Sequence, residues 1–144
     1  MEIISETDYH IVTHLEGHYV KVDYKSKELP LEDYLKVIEV GKNLCKIHGK
    51  IYIIYFQARN FSIEKETWSY MKKNAYKYNF IGANALIVTD LAQRLMTKIY
   101  MFFSKDKTPT KVFSDPDKAM EWLKEKGSET SVLSSIAEEP VNMD

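Results

Sequence analysis

The sequence predicts an α/β sandwich with a mixed sheet, and three observations carry that prediction. Residues 51–56 (IYIIYF) form a continuous apolar, β-branched and aromatic run, as suits a strand covered on both faces. Two alternating runs near the N-terminus flank a glycine and read as a hairpin. Downstream, strand-like and helix-like segments alternate, the order expected of strands joined by right-handed helical crossovers. The count comes to about five strands beginning with a hairpin, flanked by about four helices.

The hairpin is residues 9–14 (YHIVTH) and 18–24 (HYVKVDY), with Leu15, Glu16 and Gly17 between them. Gly17 supplies the positive φ that a tight turn needs. Val20, Val22 and Tyr24 share one face of the second run, and Lys21 and Asp23 share the other, so one side is expected to be wet. Pro30 then opens a helix over 31–48, with Glu32 and Asp33 in the first turn, where the helix dipole favours carboxylates. Leu31, Tyr34, Leu35, Ile38 and Cys45 form its stripe, and Gly49 ends it.

After the central strand, Ser62 is placed to cap a helix over 63–80. Its stripe of Trp68, Met71, Ala75 and Tyr78 or Asn79 is thin, so this helix is expected to be the more exposed. Residues 86–88 are the core of the next strand. Asp90, with Gln93 three residues on, starts a helix that is apolar on more than one side. A short strand follows at 110–113. Ser114 then caps a last helix, with Pro116 and Asp117 in its first turn and Gly127 as its stop. Ala119, Met120, Trp122 and Leu123 pack that helix down. The domain is therefore expected to span 1–127, followed by an acidic, serine-rich and unstructured tail over 128–144.

Composition narrows the function classes. A 44% hydrophobic share supports a real core, and a net charge of −1 from 20 basic and 21 acidic residues gives no reason to expect a nucleic-acid surface. No apolar run is as long as a bilayer span, and the opening residues are acidic, without an apolar targeting region. Cys45 is the single cysteine, so no intrachain disulfide forms. A cytoplasmic protein is the expectation.

The segments ANALIVTDLAQRLMTKIYMFF, from residue 83, and TPTKVFSDPDKAMEWL, from residue 108, resemble the STAS domains, and within them the SpoIIAA-like branch. The likeness covers residues 9–126 as an order of elements and 83–123 as motif. It implies a non-enzymatic binding or regulatory domain that acts by protein contacts. Regulated members carry a phosphorylatable serine at the helix start after the central strand, in an Asp-Ser-Ser-Gly-like context. Ser62 is the hydroxyl at the matching place, and that context is absent around it. Some relatives of the fold bind apolar ligands between sheet and helices, which makes an apolar-ligand or lipid carrier the alternative.

The residues themselves supply few sites. A phosphate on Ser62 would rest on helix N–H groups; without one, Ser62 is a plain cap. His10, His14 and His18 are evenly spaced, and Cys45 and His48 lie three apart on a helix, which is half a metal site; solvent-facing hairpin histidines are the reading, with no metal. Asp90 and Arg94 fit a local helix ion pair. The glycines are scattered, no nucleophile elbow is recognisable, and no cofactor or catalytic residue is expected. Met96, Ile99, Tyr100, Phe102 and Phe103 are the candidate contact surface, for a second copy in a homodimer or for an apolar ligand.

Overall fold

The computed structural model describes residues 1–74, 77–88, 90 and 108–138. Its main sheet has six strands in the order β1 (Glu2–Glu6), β2 (His10–Glu16), β3 (Tyr19–Tyr24), β5 (Ile51–Gln57), β7 (Ile81–Ile87) and β8 (Thr110–Phe113). The first three strands pair antiparallel, and β3, β5, β7 and β8 pair parallel. A two-residue parallel pair, β4 (Glu28–Leu29) with β6 (Ser62–Ile63), sits apart. The described helices are α1 (Leu31–His48), α2 (Lys65–Asn74) and α3 (Pro116–Glu138). The mixed α/β architecture is as expected, with one strand more than foreseen. The expected helix after Asp90 falls outside the described residues.

Alternation along β5 divides the core in two. Ile51 and Ile53 join Val12, Val20, Val22 and Tyr24 under α1, with Tyr34, Val37, Ile38 and Leu44 packed from the helix. Tyr70 and Met71 of α2 pack on the same cluster, so both helices cover one face. Strands added in chain order, with both crossovers of one hand, require that placement. Tyr52 and Ile54 point the other way and meet Ala83, Ala85 and Ile87 of β7 and Ala119 and Leu123 of α3. The alanines are small enough to let α3 lie close to the sheet.

Several local expectations need correction. The segment at 2–6 is a strand, and its first pairs, Glu2 with His14 and Ile3 with Thr13, extend the hairpin to three strands. β7 begins at Ile81, ahead of the expected 86–88, because Gly82 and the alanines hide the apolar alternation of a strand. Asp115, not Ser114, caps α3: its Oδ1 accepts from the N–H of Asp117 at 2.9 Å. Pro116 takes the first helical position and so lies in the first turn, as expected. The helix does not stop at Gly127, which is buried within it and faces Tyr19 and His18. Residues 128–138, expected to lack regular structure, continue the helix. No helix among the described residues is long and apolar enough to cross a membrane.

Candidate functional site

The most concentrated polar chemistry lies where β1, β2 and α1 meet. Ser5 pairs with Val12 across the β1–β2 ladder, and Val12 belongs to the core under α1. Directly opposed residues share a face, so Ser5 points toward α1. The irregular register between Ile3 and Ser5 brings it there. His10 starts β2 on the same face and is completely buried, which corrects its reading as a solvent-facing histidine. Asp33 belongs to the first turn of α1, set by Pro30, and is 3% exposed.

These side chains form one chain of hydrogen bonds. Ser5 Oγ lies 2.7 Å from His10 Nε2, and His10 Nδ1 lies 2.7 Å from Asp33 Oδ2. Thr7 donates its hydroxyl proton to Asp33 Oδ1 at 2.8 Å. The same Thr7 oxygen accepts the N–H groups of Tyr9 and His10. Lys25 donates to the Thr7 carbonyl at 2.7 Å and lies 3.7 Å from Glu6. A buried imidazole and carboxylate persist only when hydrogen-bonded, and here both oxygens of Asp33 and both ring nitrogens of His10 are occupied. The bonding also orders the protons. An ionised Asp33 only accepts, so Nδ1 carries a proton toward it; with the ring neutral, Nε2 is an acceptor and Ser5 donates to it.

A second cluster sits at the opposite end of these strands. His14 Nε2 is 2.7 Å from the Gly17 carbonyl, and its ring lies 4.9 Å from that of His48. His14 pairs with Val20 across the hairpin, so it is not the cross-strand neighbour of His18. The His18 ring lies against Tyr19 and Tyr52. Burial, and then the nearby His48, hold its pKa below the ordinary histidine value. Among the described residues no group of three or more His, Cys, Asp or Glu side chains is placed to hold a metal.

The 57–62 turn lies at the carboxyl end of β5, in the middle of the sheet. Ala58 N donates to Tyr24 O at 2.9 Å, Phe61 N to Ala58 O at 3.0 Å, and Ser62 N to Lys27 O at 3.2 Å. The Phe61 ring stacks on Tyr24 with centroids 4.8 Å apart. Arg59, Asn60 and Ser62 are left exposed. Ser62 belongs to β6 and does not cap α2, which starts at Lys65. A phosphate on it would therefore not rest on the first turn of that helix.

Met96, Ile99, Tyr100, Phe102 and Phe103 lie outside the described residues, as does Arg94, the expected partner of Asp90. Cys45 is half-buried. Sequence reading missed Ser5, Thr7 and the role of Asp33. The available signal was weak: a serine, a threonine and a histidine within six residues, whose sidedness depends on a register that no local pattern reports.

No curated protein and no solved structure matches the chain. One family model does, described as a domain of unknown function (DUF7793), over residues 14–126. The match runs from within β2 to within α3, so Ser5, Thr7 and His10 precede it and Asp33 falls inside. With most of its length matched, the chain belongs to the DUF7793 family.

Proposed function

We propose that this chain is a non-enzymatic, STAS-like regulatory or scaffolding domain of the cytoplasm that works through protein contacts. One observation carries the reading: the 57–62 turn is a preformed, exposed contact element at the carboxyl edge of the central strand. Its backbone is tied to Tyr24 and Lys27, and Phe61 pins it to the core, while Arg59, Asn60 and Ser62 face outward. A turn held in one conformation loses little entropy when a partner docks. The reading also draws on the order of elements: three antiparallel strands, then parallel strands added one after another, with a final helix on the opposite face.

The test is affinity capture with quantitative mass spectrometry. An Arg59→Glu/Ser62→Glu variant is compared with wild type and with Lys42→Glu, a charge reversal on the exposed side of α1. The reading expects wild type and Lys42→Glu to retain a common protein partner and the turn variant to lose it roughly tenfold or more. Circular dichroism checks that all three are folded. The same capture from the turn variant, or no specific protein from any of the three, refutes it.

A further inference from the structure

We infer that Ser5 is a nucleophilic serine, with His10 as its base, that accepts an acyl group from activated donors (thioesters and aryl esters) and keeps it. The inference is independent of the 57–62 turn. It rests on the 2.7 Å Ser5–His10 and 2.7 Å His10–Asp33 contacts, on Thr7 holding the second oxygen of Asp33, and on the difference in exposure along the chain. Ser5 is half-buried, on β1, which lies at the edge of the sheet. His10 has no exposed surface and Asp33 almost none. A serine hydrogen-bonded to a neutral imidazole whose other nitrogen is held by a buried carboxylate is the arrangement that activates a hydroxyl for acyl transfer.

The step balances without a co-reactant. The Ser5 proton passes to His10 Nε2 as Oγ adds to the carbonyl carbon and the C=O pair moves onto oxygen. Collapse of that intermediate re-forms C=O and breaks the bond to sulfur or aryl oxygen. The leaving group departs as a thiolate or phenolate with the bonding pair. The proton remains on His10, and the Asp33 carboxylate balances the imidazolium charge. A buried ring cannot hand that proton to a leaving group at the surface, so donors whose leaving group is stable as an anion are selected over amides and alkyl esters. Deacylation would require the ring to take a proton from an attacking water. No part of the His10 ring is exposed to water, so the chemistry stops at acyl-Ser5. Ser5 is thus a modification site rather than a turnover site, and Asp33 and Thr7 act as positioning residues.

The full-length protein treated with p-nitrophenyl acetate tests this. The expected result is a burst of one nitrophenolate per chain and one acetyl group mapped to Ser5, with a rate that rises with pH as general-base activation requires. Ser5→Ala, a small change on an edge strand, abolishes both. Asp33→Asn slows acylation by at least tenfold, out of the ~10²–10⁴ that a positioned base supplies, and Asp33→Glu, which keeps a carboxylate, restores part of the rate. Acetyl groups on lysines alone, a burst that persists in Ser5→Ala, or a flat pH profile for Ser5 acylation overturns the inference. Should Asp33→Asn fail to fold, mapping in wild type and Ser5→Ala decides the site, and the wild-type pH profile decides the base.

Discussion

The ring of Tyr52 on β5 lies directly over the α-carbon of Gly82 on β7. A β-carbon at Gly82 would come within 2.7 Å of the Tyr52 hydroxyl and nearer still to its ring carbons. Tyr52 is 1% exposed and packed among Ile54, Ala83 and Leu123, so the ring has nowhere to retreat. Gly82→Ala is therefore expected to destabilise the fold by about 1–3 kcal/mol, the usual range for overpacking. Urea unfolding followed by tyrosine fluorescence measures it. An unchanged midpoint would mean that β7 can shift away from β5 without loss.

Asp33 gives the larger expected loss. Asp33→Ala leaves His10 Nδ1 and the Thr7 hydroxyl without their partner in the core, two buried donors that cost about 1–3 kcal/mol each when unpaired. Replacing Glu32, its exposed neighbour in the same helical turn, is expected to cost about 0.5 kcal/mol or less. Parallel denaturation of the two variants checks the contrast.

Three phenols predict alkaline sensitivity. Burial, and then Tyr55 and Asp33, push Tyr24 well above the ordinary tyrosine value. Burial and then the hydrogen bond with Tyr70 push up Tyr78, and burial with Tyr52 raises Tyr19. A folded-state pKa above the unfolded one means that the native state holds its proton more tightly. The contribution is complete below the unfolded value of ~10 and is lost as pH rises through the folded values. Unfolding midpoints are expected to fall steadily above about pH 10, less steeply in Tyr24→Phe. An identical slope in wild type and Tyr24→Phe would remove Tyr24 from the account.

His18 acts in the opposite direction. Its folded pKa is depressed by burial and by His48, so the neutral ring is favoured in the native state. That contribution is present above the unfolded histidine value of ~6.5 and is lost as pH falls through the folded value. His48→Gln is expected to raise the His18 midpoint in an NMR titration, since it removes a neighbouring positive charge. An unmoved midpoint would leave burial as the whole cause.

How much was legible in the sequence depended on whether the signal was local. Residues 31–48 carry their own stripe, their proline start and their glycine stop, and α1 occupies that span. Residues 110–113 are bounded by Pro109 and Ser114, and β8 matches them. Gly127 misled because a glycine near a helix end usually marks the stop. Here it is a contact requirement: a β-carbon would meet His18 Nε2 at 2.9 Å and the Tyr19 ring at 3.0 Å. Ser62 misled because a capping serine and a short strand look alike when the partner, β4, lies more than thirty residues upstream. Ser5, His10 and Asp33 come together only through a ladder register and a helix docking angle. Neither leaves a periodic trace in the chain.

The sheet is laid down almost in the order in which the chain is made. Each new strand of the main sheet joins beside the previous strand of that sheet, so a chain emerging from the ribosome can add strands outward from the hairpin without threading. The two faces do not mature together. α1 and α2 are synthesised between strands and can shield their side as it grows. Tyr52, Ile54, Ala83 and Ala85 wait for Ala119 and Leu123, which arrive last. Until α3 docks, a nascent chain holds a broad apolar sheet surface open to water. Co-translational chaperone binding is therefore expected to peak after residue 87 has emerged and to end once residues 116–127 clear the exit tunnel.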